Sequence, residues 1–145
     1  MPGKRQLVAL VALVGLFVAL YLTLYKLGAI GELTCSVGSC ETVQLSRWAT
    51  FLGLPVAAWG VGFYIGALTL ALASVQDRWA ESRAIASALL AWTGWGVLFS
   101  AWLTYLELFV IHAICMWCVI SAIIVTIMCA VAWMEWRAMR LETED

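Results

Sequence analysis

Residues 109–136 read FVIHAICMWCVISAIIVTIMCAVAWMEW, and this stretch decides both the fold and the chemistry to be expected. It is apolar along nearly its whole length, and it exceeds the about 20 residues that a helix needs to cross a bilayer. It contains the C-x-x-C pair Cys115 and Cys118. Residues three apart on a helix share one face, at a separation of roughly 5 Å that a disulfide can bridge. Two such thiols inside a membrane indicate electron transfer.

The composition is that of a membrane protein. Of the 145 residues, 65% are hydrophobic and 12% are charged, whereas soluble domains are about half apolar and about a quarter charged. At this length we expect a single membrane domain over residues 1–145. The net charge of −1 offers no basic surface, so a nucleic-acid partner is not expected and membrane lipid is.

Four apolar stretches predict four membrane-spanning helices. We place them at about residues 7–27, 54–75, 84–106 and 109–136. The first stretch is longer than the about 7–15 apolar residues of a cleaved signal peptide, so we expect it to be retained. A polar loop at 28–53 joins the first two spans, and apolar spacing within Ser39–Phe51 predicts a short surface helix. The expected fold is therefore an all-α, four-transmembrane-helix bundle with an extracytoplasmic loop and half-helix.

Basic residues predict the orientation of the bundle. Four spans place both termini on one side, together with Lys4, Arg5, Arg78, Arg83, Arg137 and Arg140. The opposite side carries only Lys26 and Arg47. Because basic residues favour the cytoplasmic side, we expect both termini in the cytoplasm. The loop cysteines Cys35 and Cys40 then share the outer side with the C-x-x-C pair.

Two cysteine pairs on one side of a membrane suggest a disulfide relay. A thiolate attacks a disulfide through a mixed-disulfide intermediate, so the loop pair can exchange with the helix pair. Cys115 is nearer the surface and is the expected partner of a loop cysteine. Cys118 lies one helical turn deeper and is placed to face a lipid-soluble acceptor. A quinone suits that role because it accepts two electrons and two protons and dissolves in the bilayer.

Other side chains near these pairs have both functional and ordinary interpretations. His112 is expected on the face of Cys115, where it can relay protons or favour a thiolate, or be merely solvated. Glu107 is expected to be a solvated residue at the end of the third span. Most tryptophans are expected in interfacial belts, with one or two lining a quinone pocket. The set includes Trp48, Trp59, Trp92, Trp95, Trp102 and Trp117.

Three further interpretations of the cysteines remain open. The loop pair can be a structural disulfide, and the helix pair can be buried and inert. The C-x4-C and C-x2-C spacings also resemble those of four-cysteine zinc modules. A zinc site is disfavoured because its thiolates would carry negative charge into an apolar segment with no basic residue near Cys115. We therefore expect no metal.

The order and spacing of these residues resemble the vitamin K epoxide reductase family. The matching positions are Cys35, Cys40, Ser46, Gly53, Leu54, Pro55, Gly60, Tyr64, Cys115 and Cys118. The resemblance extends over about Leu7–Trp136. It implies a four-helix bundle around a quinone, ubiquinone or menaquinone, with the loop and half-helix capping the pocket on the outer side.

The resemblance also implies roles for individual residues. Cys40 would be the loop cysteine that exchanges with Cys115, and Cys118 would reduce the quinone. Ser46 would help to organise the loop. We expect Trp59, Tyr64 and His112 to support the quinone pocket.

The resemblance further implies a physiological role. Bacterial members of the family reoxidise a thioredoxin-fold disulfide carrier in the periplasm, so we expect a protein of the bacterial inner membrane that passes electrons from such a carrier to quinone. The chain ends too soon for a fused thioredoxin-like domain, and the carrier is expected to be a separate protein. Val56 and Ala122 occupy places where animal members have asparagine and tyrosine, which favours quinone reduction over epoxide reduction. An epoxide reductase and a non-catalytic membrane protein with a loop disulfide are the alternatives.

Overall fold

The predicted four-helix membrane bundle is confirmed. The computed structural model describes residues 2–29, 31, 42, 45, 47–76, 78–79 and 82–144. Four helices within these ranges are long and apolar enough to cross a membrane. They are α1 (Pro2–Lys26), α2 (Val56–Val75), α3 (Arg83–Tyr105) and α4 (Met116–Glu144).

The helices form a closed ring around a narrow core. Both α1 and α3 pack against α2 and against α4. The buried positions are mostly small or branched, and they include Val8, Ala12, Ala67, Ala71, Val125, Met128 and Ala132. Small residues allow helix backbones to approach closely, which supplies the packing that apolar burial alone cannot supply in lipid. Many large apolar side chains face outward, as expected where the surroundings are lipid.

A short hairpin precedes α2. Residues Arg47–Ala49 form a 3-10 turn, after which β1 (Thr50–Phe51) pairs antiparallel with β2 (Leu54–Pro55). Leu52 and Gly53, at the tip, both have positive φ values of 54° and 82°, the pattern of a type I′ turn. The second span therefore begins two residues later than predicted.

The expected half-helix falls within Ser39–Phe51, where the structure describes only some of the residues. The end of this range, residues 47–51, forms a 3-10 turn and a strand. Most of the rest of that predicted helix falls outside the described residues.

The connection between the third and fourth spans differs from the prediction. The third span continues past Tyr105 as a π-helical segment, Leu106–Ile111. It ends at His112, whose left-handed conformation has a φ of 58°. The backbone N–H groups of His112 and Ala113 both donate to the Glu107 carbonyl oxygen, which closes this wide turn. Residues 109–111 thus belong to the third span, and the predicted start of the fourth span at 109 is wrong.

A buried ion pair holds the other end of the bundle. Nη1 of Arg5 donates to the Ser74 carbonyl oxygen at 2.8 Å, and Nη2 lies 3.8 Å from Oε2 of Glu135. Arg5 is therefore tied to α2 and α4 at once.

Candidate functional site

The C-x-x-C motif opens α4. The Cys115 carbonyl oxygen accepts a hydrogen bond from the Val119 N–H at 3.1 Å, so Cys115 immediately precedes the helix and Cys118 lies in its first turn. The Cys118 side chain is hydrogen-bonded to that of Cys115. The two sulfurs lie close together, as their spacing in the sequence predicts. The motif, however, lies at the start of a helix and not inside a continuous helix.

The two cysteines have different surroundings. Cys115 is fully buried and packs in a cluster with Val18 and Leu22 of α1. Trp117, between the cysteines, makes an edge-to-face contact with Tyr21, with ring centroids 5.3 Å apart. Such aromatic contacts add to the apolar burial, and this one fixes the start of α4 against α1. Cys118 instead lines a cavity between the helices.

This cavity has a volume of about 610 Å³, within the range of small-molecule sites. Its walls are mostly apolar. The aromatic lining comprises Trp48, Phe51, Trp59, Phe63, Tyr64, Trp92, Trp95 and Phe99. The few polar side chains include Ser100, Thr104, Glu107, Cys118 and Ser121. An apolar, aromatic ligand with a few polar atoms fits this lining.

The indole N–H groups of two wall residues are bonded within the protein. Trp92 donates to the Phe63 carbonyl oxygen at 2.9 Å, and its ring stacks on that of Phe63 at an interplanar angle of 3°. Trp59 donates to the Phe51 carbonyl oxygen at 2.9 Å, which ties α2 to the hairpin. Both indoles therefore present apolar surfaces to the cavity, and Trp59 is located where the sequence predicted a pocket residue.

Tyr64 also lines the cavity, and its hydroxyl is engaged. The hydroxyl oxygen lies 2.6 Å from Oγ of Ser121 and also donates to the Ser121 carbonyl oxygen at 3.2 Å. The residue is only 1% exposed. A Cβ atom on Gly15 of α1 would overlap the tyrosine ring, so the glycine is needed for this close approach. Tyr64 joins three helices beside the site.

Glu107 is the site residue that the sequence interpretation missed. It is 5% exposed and lines the cavity, so the expectation of a solvated end residue is wrong. Its Oε2 accepts a hydrogen bond from the Cys115 N–H at 3.2 Å, and its carboxyl also accepts one from the Cys118 side chain. The available signal was a single carboxylate within an apolar membrane segment, which usually indicates a functional site.

His112 lies apart from these groups. It is exposed, does not line the cavity, and occupies the break between the helices. The expectation that it shares a helical face with Cys115 is wrong because no helix runs through this position. Its role as a proton relay stays a prediction.

The loop residues Cys35, Cys40 and Ser46 lie outside the described residues. Their predicted roles, including exchange between Cys40 and Cys115, stay predictions. Within the described ranges, no three His, Cys, Asp or Glu side chains are close enough together to hold a metal ion.

A comparison with known families gives a match to this architecture. A sequence model of the Vitamin K epoxide reductase family matches residues 6–133. The matched region contains every described residue of the cavity and both cysteines of the C-x-x-C motif.

Proposed function

The chain belongs to the vitamin K epoxide reductase family, and from this premise we propose that it oxidises a dithiol protein and passes the electrons to a membrane quinone. Proteins of this family are membrane thiol oxidoreductases that act with quinones, and the four apolar helices make this chain a multi-pass membrane protein.

One observation carries the proposal: the Cys118 side chain lines a large apolar cavity. The buried Cys115 side chain is hydrogen-bonded to that of Cys118. The cavity fits a quinone, because its aromatic walls suit a flat ring and its few polar groups surround the reactive sulfur. The wall formed by Phe63 and Trp92 is placed to hold such a ring. A bound quinone supplies the oxidising power, since it accepts two electrons and two protons.

The proposed electron path uses both cysteine pairs. The reduced partner exchanges its dithiol with a Cys35–Cys40 disulfide, and the loop dithiol exchanges in turn with a Cys115–Cys118 disulfide. The family resemblance supports Cys40 and Cys115 as the pair that exchanges. Cys115 and Cys118 are then reoxidised to a disulfide, and the two electrons and two protons that they lose convert quinone to quinol.

The proposed location is the bacterial inner membrane, with both termini in the cytoplasm and the cavity on the periplasmic side. The excess of basic residues on the side of the termini supports this orientation. The partner is proposed to be a separate thioredoxin-fold disulfide carrier, and the acceptor to be ubiquinone or menaquinone.

The test is quinone reduction by the reconstituted protein. With quinone and a reduced thioredoxin-fold carrier, Cys118→Ala is expected to abolish quinol formation. Cys129→Ala is the matched control, because Cys129 lies on the same helix, is also partly buried and does not line the cavity. A Cys118→Ala variant that reduces quinone at the wild-type rate would refute the proposal.

A trapping experiment examines the predicted exchange between the pairs. In the Cys118→Ala variant, the Cys115 thiol can attack the Cys35–Cys40 disulfide, which forms a Cys40–Cys115 mixed disulfide and releases the Cys35 thiol. No Cys118 thiol is then present to carry the exchange on to a Cys115–Cys118 disulfide, so this crosslink is expected to accumulate to a detectable level. Mass spectrometry of alkylated peptides detects it. A loop pair that stays permanently oxidised, with no crosslink to Cys115, would indicate a structural disulfide instead.

A further inference from the structure

Glu107 has no part in the relay described so far, yet it is buried beside the reacting sulfurs. It is the only charged residue between Ala84 and Ile111. A charged side chain at membrane depth costs several kcal/mol unless it is paired or hydrogen-bonded, and such residues usually serve a function. Among the described residues that line the cavity, Glu107 is the only carboxylate.

The carboxyl group connects the dithiol to the cavity. One oxygen, Oε2, accepts the Cys115 N–H, and the carboxyl also accepts a hydrogen bond from the Cys118 thiol. The same side chain faces the cavity that Cys118 lines. It therefore lies between a sulfur that must lose a proton and the space where the proposed acceptor must gain one.

We propose that Glu107 is a catalytic residue that takes the proton of the Cys118 thiol and delivers it to a quinone oxygen in the cavity. This inference rests on the proposed function. The Cys115–Cys118 bond forms as both S–H bonds break, and the electron pair released reduces the quinone. One proton passes through Glu107, the other comes from the Cys115 thiol, and Glu107 ends the cycle as a carboxylate, as it began.

A purely structural role would predict a different outcome. If Glu107 only fixes the start of α4 by accepting the Cys115 N–H, then Glu107→Gln preserves the function, since the amide oxygen still accepts hydrogen bonds. If Glu107 carries a proton, the same variant fails, because an amide cannot accept one.

The first measurement is single-turnover reduction of quinone by the pre-reduced protein. Glu107→Gln is expected to lower the rate at saturating quinone by about 10²–10⁴-fold, the range for loss of a general acid–base group, with KM for quinone nearly unchanged. Glu135→Gln is the matched control, because Glu135 is also buried but lies at the opposite end of the bundle. It is expected to reduce quinone at the wild-type rate.

A second pair of variants tests the same role if Glu107→Gln folds poorly. Asp and Asn have nearly the same shape, so Glu107→Asp and Glu107→Asn differ mainly in the presence of a carboxyl. Glu107→Asp is expected to retain at least tenfold more turnover than Glu107→Asn. Equal turnover of the two variants, or a wild-type rate in Glu107→Gln, would overturn the proposed role.

The last measurement is independent of turnover. In the reduced protein without quinone, the infrared S–H stretching band of Cys118 reports its hydrogen bond to the carboxyl. The band is expected to shift in Glu107→Gln and to stay in place in Glu135→Gln; an unchanged band in both variants would overturn the contact. A wild-type protein that does not reduce quinone would instead overturn the proposed function, and the role of Glu107 with it.

Discussion

Replacing Tyr64 by phenylalanine is expected to weaken the bundle more than it weakens quinone binding. The Tyr64 hydroxyl lies 2.6 Å from Oγ of Ser121, and the residue is almost fully buried. The hydroxyl is thus committed to a contact between α2 and α4. Only the aromatic ring, which phenylalanine retains, remains to face a ligand.

The expected loss of stability follows from the energies of hydrogen bonds between membrane helices and of buried polar groups that lose their partner. Double-mutant cycles on hydrogen bonds between membrane helices average about 0.6 kcal/mol and reach about 1.7 kcal/mol, while leaving a buried partner unsatisfied costs about 1–3 kcal/mol. We therefore expect Tyr64→Phe to lower the free energy of unfolding by about 1–2 kcal/mol. Combined with Ser121→Ala, the loss is expected to be smaller than the sum of the two single losses by about 0.6–1.7 kcal/mol.

The assay is unfolding of the purified protein in mixed micelles as the fraction of denaturing detergent rises, followed by tryptophan fluorescence. KM for quinone is measured on the same preparations and is expected to stay within about twofold of the wild-type value. A tenfold rise in KM at unchanged stability would show that the phenol binds the acceptor directly, and the reasoning from the Ser121 contact would be wrong.

Three further substitutions test other parts of the structure. Gly96→Ala places a methyl group against the Phe63 ring, so we expect a loss of about 1–3 kcal/mol in stability and a higher KM for quinone. His112 is exposed and does not line the cavity, and glycine preserves its left-handed backbone. His112→Gly is therefore expected to leave the melting temperature and turnover unchanged, which would contradict the proton relay predicted from the sequence; lost turnover would support that relay. Arg5→Gln removes the guanidinium group that lies 3.8 Å from the Glu135 carboxylate. It is expected to cost about 1–3 kcal/mol in detergent unfolding, with normal turnover by the folded protein.

Hydropathy predicted the four spans well because the thickness of the bilayer requires long apolar helices whatever their detailed packing. It could not locate the break between the third and fourth spans. Residues on both sides of His112 are apolar, and the left-handed conformation that ends the helix is a property of one residue. The hairpin was also missed, since strands of two residues are too short to produce an alternating pattern.

The part of the candidate site that could be predicted is the cysteine pair, because disulfide chemistry requires cysteine at both positions. A cysteine spacing of three brings two sulfurs together in the first turn of a helix as well as in its middle, so the pair was identified despite the wrong helix start. The prediction for Glu107 was wrong because the direction in which its side chain points depends on the π-helical turn. In that turn the backbone winds more widely than in an α-helix. No apolar pattern in the sequence specifies that turn.

The π-helical turn makes the geometry of the candidate site sensitive to the length of the chain. In an α-helix each residue rotates the chain by about 100°. Deletion of one residue from 108–111 would allow ordinary α-helical hydrogen bonding in this segment. It would also rotate the Glu107 carboxylate away from the sulfurs of Cys115 and Cys118. Such a deletion would leave hydropathy and helix content almost unchanged, so it would disable the site while the protein still inserted and folded as a bundle.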